Sequence, residues 1–382
     1  MQIQFTSISE PGLPGQKWLN LFSIHWETYR IWVLENEDKD QSADLNTSQT
    51  ALKTYMPELW PNYLYLCNLA EADEIAAKFL TGYMPPFYVS GCSNAVLKDE
   101  QIHLVRNYDH HPDLFEGVQL LSKWNHKKVI AISDCLIGVL DGINEDGLVV
   151  SLTFGGRKIT GKGFGIPFIL RYVLEFCSNV EEAVSCLTRI PSHMAYNVTV
   201  IDKYGNHKTV RVAPGDEPVV TNATYTTNHQ KKIRWPENAA FNKTVERSSF
   251  LKHLLTEENL TKDELIQTFL RKPLYNNLFK EGFGTLFTAA YTPQNGEVEL
   301  HWPGQCIKQS FKQFTEQTTC VSVQQKKARN LRTKNFSIPH QGYTAKSITY
   351  ANPYLDKEIL DKNKSITPEF IDEVWANINH KH

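Results

Sequence analysis

Ser90-Gly91-Cys92-Ser93-Asn94-Ala95-Val96-Leu97, followed after a short polar gap by His103-Leu104-Val105-Arg106-Asn107-Tyr108-Asp109, is the stretch from which the rest of the chain is read. The first run begins at a cysteine and the second ends in Arg-x-x-Asp. Two apolar runs of this length around a few polar residues predict paired antiparallel strands, which carry Arg106 and Asp109 back beside Cys92. That grouping has a chemical use. A thiol attacks as its thiolate, a guanidinium a few ångströms away favours the thiolate, and a carboxylate can hold an ammonium or orient an amide.

The Gly91-Cys92 junction adds a second element. If this peptide bond is cut, the amine released on Cys92, with an ordinary pKa of about 7.7–8.0, can act as base for its own thiol. Glycine before the cysteine leaves the scissile carbonyl without a flanking side chain. On these residues the stretch resembles the nucleophile segment of the N-terminal nucleophile hydrolases, in the cysteine branch that holds choloylglycine hydrolases, penicillin V acylases and isopenicillin N acyltransferase.

The resemblance extends over roughly residues 80 to 305 in the order of that family. Ile137 to Leu152 is similar to its hairpin with an Asn-Glu-x-Gly turn, here Asn144-Glu145-Asp146-Gly147. Tyr196 to Val212 turns at Gly205-Asn206, Thr227-Asn228-His229 resembles the family's Thr-Asn-His, and Gly284 to Trp302 resembles its last hairpin. The resemblance implies an α+β fold, an αββα four-layer sandwich of two antiparallel sheets between helical layers, preceded by a mainly helical leader. It implies a leader of residues 1–91, separated as a small subunit by self-cleavage, and a catalytic segment of residues 92–382. Carried over residue by residue, Cys92 is the nucleophile and, once freed, the amine base. Arg106 is the arginine near the thiolate, Asp109 positions the amine or the substrate amide, and Asn228 donates to the oxyanion. Thr153 stands where bile-salt hydrolases have an asparagine and Arg247 where the family has a helix arginine, both expected to touch substrate.

Composition sets the outer limits. The 382 residues carry 40 basic and 42 acidic side chains, a net charge of -2, so overall charge favours neither nucleic acid nor a membrane surface. No run reaches the roughly 18 apolar residues of a spanning helix. The first 17 residues lack a basic segment followed by an apolar core, so no export signal is read and the expected location is cytoplasmic. The seven cysteines, at 67, 92, 135, 177, 186, 306 and 320, include no Cys-x-x-Cys pair and read mostly as buried thiols of a reducing compartment.

Along the chain, residues 35–50 are polar and read as a loop, and 51–80 have helical spacing broken at Pro57 and Pro61. Pro85-Pro86 imposes an extended approach to Gly91. Downstream, helices are predicted at 166–176, 180–187 after an Asn179 cap, 243–255, 262–271 and 368–379. The stretch 326–352 is polar and basic and carries no assignment.

Two rival chemistries were weighed. Gly156 to Lys162 fits G-x-x-x-x-G-K, but Gly163 follows where a hydroxyl for magnesium belongs, and the next helix starts only near Pro167. His110 and His111 lie near Asp109 and Asp113, yet adjacent strand residues face opposite ways, so no metal and no cofactor are expected. The reading is a self-processing cysteine amidohydrolase that cleaves a linear N-acyl amide through a Cys92 thioester. An acyltransferase passing the acyl group from an amide or thioester to an amine is the alternative, and a silent acyl-amide binder is the third reading. The expected partner is a small acyl amide or acyl thioester, with neither nucleic acid nor membrane, and a homo-oligomer is compatible with all three.

Overall fold

Two adjacent strands, β2 and β3, hold the residues on which the sequence reading turns. The computed structural model describes residues 2–36, 42–257, 259–279 and 283–323, and the helix predicted at 368–379 and the stretch 326–352 lie outside them. In chain order the elements begin with β1 (Gln2–Glu10), α1 (Gln16–Asn36), α2 (Leu45–Tyr55), α3 (Trp60–Leu69) and α4 (Glu74–Phe79). There follow β2 (Gly91–Lys98), β3 (Ile102–His110), β4 (Val118–Ser122), β5 (Val129–Asp134), β6 (Gly138–Asn144) and β7 (Leu148–Phe154). Next come α5 (Ile166–Phe176), α6 (Val180–Arg189), β8 (Tyr196–Asp202), β9 (His207–Val212), β10 (Val219–Thr221) and β11 (Tyr225–Thr226). The last are α7 (Pro236–Phe241), α8 (Thr244–Glu257), α9 (Lys262–Phe269), β12 (Asn277–Leu278), β13 (Phe283–Thr292), β14 (Glu297–Trp302), β15 (Gln305–Ser310) and β16 (Gln317–Ser322).

Among the described residues these strands form two sheets. One has nine strands in the order β10-β9-β8-β7-β6-β5-β4-β1-β16, and the other follows β11-β2-β3-β13-β14-β15 with β12 on β13. Every pairing is antiparallel except β1 with β4. The sheets face one another, β2 against β7 and β3 against β8. Helices α5 and α6 cover the far side of the larger sheet, and α8 and α9 cover the far side of the smaller one. This is the αββα order.

The period-2 alternation of a strand explains how four layers close. Along β3, Leu104, Arg106 and Tyr108 share the face turned to the other sheet, while Val105 packs with Leu251, Leu265, Ile266 and Phe269 of the helical layer. Every residue of β6, β7 and β8 is buried, because both faces of these strands are covered. Local signals set the helices. Pro167 sits in the first turn of α5, Asn179 caps α6 by accepting from the Glu182 amide, and Thr261 with Glu264 forms a reciprocal capping box on α9.

The leader is mainly helical, in α1 to α4, and its first residues add a strand, β1, between β4 and β16. Its alternation was present, with Ile3, Phe5 and Ser7 buried between more exposed neighbours. The presumed loop over 35–50 is shorter, because α1 runs to Asn36 and α2 starts at Leu45 behind an Asp44 cap. The cysteines are not mostly buried either: Cys306 and Cys320 are exposed, and Cys67 and Cys186 half-buried.

Helices of the first ninety residues are fastened to the later chain by aromatic packing and hydrogen bonds. Trp18 donates its indole N–H to the Leu136 carbonyl at 3.0 Å, and the Tyr29 hydroxyl accepts the Cys135 amide at 3.0 Å while donating to Glu116 at 2.7 Å. The turn they hold is strained, since Cys135 and Leu136 have φ of 55° and 67°, in the left-handed region that β-substituted residues avoid.

Candidate active site

Cys92 is the second residue of β2, wholly buried, and its side chain lies on the face turned to the larger sheet. Its ladder partner is Tyr108; Gly91 faces Asp109 and Asn94 faces Arg106. Arg106 reaches along this face, placing Nη2 3.3 Å from Cys92 Sγ and donating through Nη1 to Asp141 Oδ2 at 2.7 Å and to the Leu140 carbonyl at 3.1 Å. The guanidinium also lies against the rings of Tyr108 and Phe287. Burial opposes its charge, but the Asp141 carboxylate outweighs that and keeps Arg106 protonated.

The sulfur itself remains a thiol. Burial pushes Cys92 above the ordinary thiol value, against the pull of Arg106 and hydrogen bonds from Ser90 and the Phe154 backbone. The sequence reading considered the guanidinium alone, whereas desolvation is the larger effect here.

Asp109 and Arg106 border the 91–92 bond from opposite faces of β3. The Asp109 carboxylate accepts the Thr285 hydroxyl at 2.6 Å, and burial raises its pKa despite the attraction of Arg247. The two residues therefore do not form an ion pair with each other; the partner of Arg106 is Asp141.

Asn228 follows the short strand β11. Its Oδ1 accepts the Cys92 backbone N–H at 3.0 Å and Arg247 Nη2 at 2.6 Å. Two donors on one atom fix the amide orientation, leaving Nδ2 with a long 3.5 Å contact to the Phe154 carbonyl. Gly156 is required here: at φ 68°, a Cβ on it would stand 2.3 Å from the Asn228 carbonyl oxygen. The glycine of the apparent phosphate-loop pattern thus admits the Asn228 backbone. Gly91 is similarly confined, because a Cβ there would meet the Phe283 ring at 2.0 Å.

Thr153 and Arg247, expected to touch substrate, are both buried in hydrogen bonds to the protein. Arg247 donates at 2.6 Å to the Cys92 carbonyl and to Ser93 Oγ, besides Asn228. The Thr153 hydroxyl donates to Thr226 Oγ1 at 3.1 Å and to the Thr227 carbonyl at 3.2 Å, and accepts from Asn197 at 3.0 Å, bracing the turn that presents Asn228. Asp141 was not singled out from the sequence. Its signal was a carboxylate in phase with Val139 and Ile143 on an otherwise apolar strand, a position that demands a buried partner.

An aromatic roof lies a few residues upstream of Cys92: Phe87 and Tyr88 pack on Phe154, Trp235 and Tyr196, and Trp32 of α1 meets Tyr88. Beside this roof runs an apolar cleft lined by Phe79, Tyr83, Met84, Pro86, Cys135 and Phe168. Among the described residues one group brings metal-type donors together: Glu299, His301 and Cys306, on the β14–β15 hairpin. Lys262 and Lys308 hold the Glu299 oxygens at 2.6 and 3.0 Å, so the carboxylate already has cationic partners. No helix among the described residues is long and apolar enough to cross a membrane.

Two sheets face to face between helical layers, with a buried cysteine near the start of β2, make up the α+β fold of the N-terminal nucleophile hydrolases. The family model described as acyl-coenzyme A:6-aminopenicillanic acid acyl-transferase matches residues 96–305, more than half of the 382 residues, and the chain belongs to that family. The match begins just past Cys92 and spans Arg106, Asp109, Asp141, Asn228 and Arg247. Similar solved structures include penicillin V acylase from Agrobacterium tumefaciens, at 14% identity and TM-score 0.40, covering 58% of this chain and 86% of that one. A mutant conjugated bile acid hydrolase from Clostridium perfringens is 13% identical at TM-score 0.40, covering 63% of this chain and 100% of the other. The Caenorhabditis elegans ortholog of N-acylethanolamine-hydrolyzing acid amidase is 19% identical at TM-score 0.40, covering 53% and 93%. A search of curated proteins finds no match.

Proposed function

We propose that the chain cuts itself between Gly91 and Cys92 and then works as a cysteine amidohydrolase on a linear N-acyl amide. The observation that carries this reading is the convergence on one residue of Arg106 at the Cys92 sulfur, 3.3 Å away, and Asn228 at the Cys92 nitrogen, 3.0 Å away. In the uncut chain that nitrogen belongs to the scissile peptide; after the cut it is an amine with an ordinary pKa near the operating pH.

The chemistry follows from those positions. For the cut, Cys92 Sγ adds to the Gly91 carbonyl, the C–N bond breaks with the proton passing to nitrogen, and water hydrolyses the resulting thioester. In turnover the free amine takes the thiol proton, sulfur attacks the substrate carbonyl, and Asn228 Nδ2 donates to the developing oxyanion. The protonated amine then returns its proton to the leaving amine. Water resolves the acyl-enzyme. Asp109, across the ladder from Gly91, steadies the ammonium, while Arg247 and Thr153 position Asn228. Membership in a family described as an acyl-transferase favours a second reading, in which an amine rather than water accepts the acyl group.

Intact-mass analysis tests the cut: fragments of residues 1–91 and 92–382 are expected, with Cys92→Ala remaining whole. Finding only full-length chain in active protein would overturn self-processing. A panel of acylated amino acids, penicillin V, conjugated bile salts and acyl thioesters, with and without acceptor amines, separates hydrolysis from transfer. A protein that binds members of this panel without turning any over is the silent binder.

A further inference from the structure

Away from Cys92, on the outer helical layer of the nine-stranded sheet, two thiols touch. Cys177 caps the C-terminus of α5 and is buried, and Cys186 lies in the last turns of α6 and is half-buried. Their sulfurs are 3.4 Å apart, with the Cys177 S–H donating to Cys186. The backbone around them is fixed. The Cys177 carbonyl accepts Lys127 Nζ at 2.9 Å and Asn144 Nδ2 at 2.7 Å, and Asn179 caps α6 two residues further on.

We propose that Cys177 and Cys186 are a peroxide-reactive thiol pair that closes reversibly to a disulfide between α5 and α6. The sulfurs need only approach from 3.4 Å to the ~2.05 Å of the bond. The roles of the two residues differ. Cys186 is the one solvent can reach, and hydrogen bonding from Cys177, with the nearby Arg189 guanidinium, draws its pKa down to about 7 against the cost of burial. Arg189 is itself held in place, donating to the Tyr55 carbonyl at 2.6 Å and to the Tyr172 hydroxyl at 3.3 Å. Cys177, whose thiol is held protonated, is placed to resolve.

The step balances with a hydroperoxide as oxidant. The Cys186 thiolate attacks one peroxide oxygen, the O–O bond breaks, and the departing oxygen leaves as water or an alcohol after taking a proton. Cys177 sulfur then attacks the sulfenic sulfur; the S–S bond forms, the S–O bond breaks, and hydroxide leaves with the Cys177 proton as water. Two thiols have lost two electrons and the peroxide has gained them.

Trypsin leaves both cysteines on one peptide, Tyr172 to Arg189, so the disulfide makes that peptide lighter by two hydrogens. Full-length protein is treated with substoichiometric hydrogen peroxide, alkylated and digested, with and without prior dithiothreitol. The expected result is that this peptide loses two hydrogens before Cys306 or Cys320 is consumed and regains them with dithiothreitol. Cys186→Ser should leave Cys177 alkylatable, and Cys177→Ser should leave a Cys186 sulfenic acid that dimedone captures. Oxidation of Cys306 or Cys320 while the 172–189 peptide keeps two alkylatable thiols would overturn the proposal, as would a wild-type Cys186 that proceeds to sulfinic acid beside an intact Cys177.

Discussion

The Cys92 backbone N–H donates to Asn228 Oδ1 at 3.0 Å, joining the second residue of β2 to one that follows it by 136 positions. With that oxygen also occupied by Arg247, the Asn228 Nδ2 is the end of the amide turned to other uses. Asn228→Ala should lower turnover of the best panel substrate on the order of 100-fold to 1000-fold with little change in KM, the pattern of a donor used in the transition state. Equal loss in both constants would make Asn228 a substrate-binding residue.

Asp141 is the test of the Arg106 anchor. Asp141→Asn keeps the shape but removes the countercharge from a fully buried guanidinium, a class of change that costs about 3–5 kcal/mol. Urea unfolding should register that loss. A variant as stable as wild type would mean that the Leu140 carbonyl and the Cys92 sulfur suffice to hold Arg106.

Burial governs the thiol before any cut. In chain that remains uncut, Cys92 should resist iodoacetamide at neutral pH while the exposed Cys306 and Cys320 react. Processed protein should become reactive at Cys92, and Arg106→Ala should then shift that reactivity to higher pH. Equal alkylation of Cys92 and Cys306 in uncut chain would contradict the full burial of Cys92.

Asp134, beside the strained turn, gives a pH signature. Burial first, and the neighbouring Glu116 second, push its pKa up to about 8. Its folded value thus lies above the unfolded value of about 3.9. The folded state holds the proton more tightly, so the favourable contribution is complete below about pH 3.9 and is lost as pH rises through about 8. Asp134→Asn, which cannot ionise, should therefore gain stability relative to wild type at pH 9 and differ little at pH 3.5, measured by urea unfolding at both values. Parallel stability curves would show that Asp134 is already charged at neutral pH.

The hairpins at 137–152, 196–212 and 284–302 were legible because alternation and a glycine turn specify each locally, and α5 was legible to the residue because proline opens it and its burial is continuous. Cys92, Arg106, Asp109 and Asn228 were grouped from their motifs; in the structure Arg106 and Asn228 each touch Cys92, and Asp109 lies across the ladder from Gly91. What stayed hidden depends on partners far away in sequence. β1 is a strand because β4 and β16 flank it, and Asp141 matters because Arg106 crosses from the other sheet to reach it. The balance of burial against charge at Cys92 was also beyond local reading, since full burial of the sulfur comes only with the packed fold.

The interior position of β1 orders events in time. Its Gln2 pairs with Ser322 and its Thr6 with Val118, so β1 waits for residues 317–322 before this sheet is complete. Contacts of such separation close slowly, because loop entropy must be met before the pairing repays it. If the proposed cut at residue 91 occurs, a premature break would release β1 while it must still find its place between β4 and β16. Assembly first and scission afterwards is then the only productive sequence, and two separately expressed pieces would have to thread a strand into a gap whose walls are not yet built.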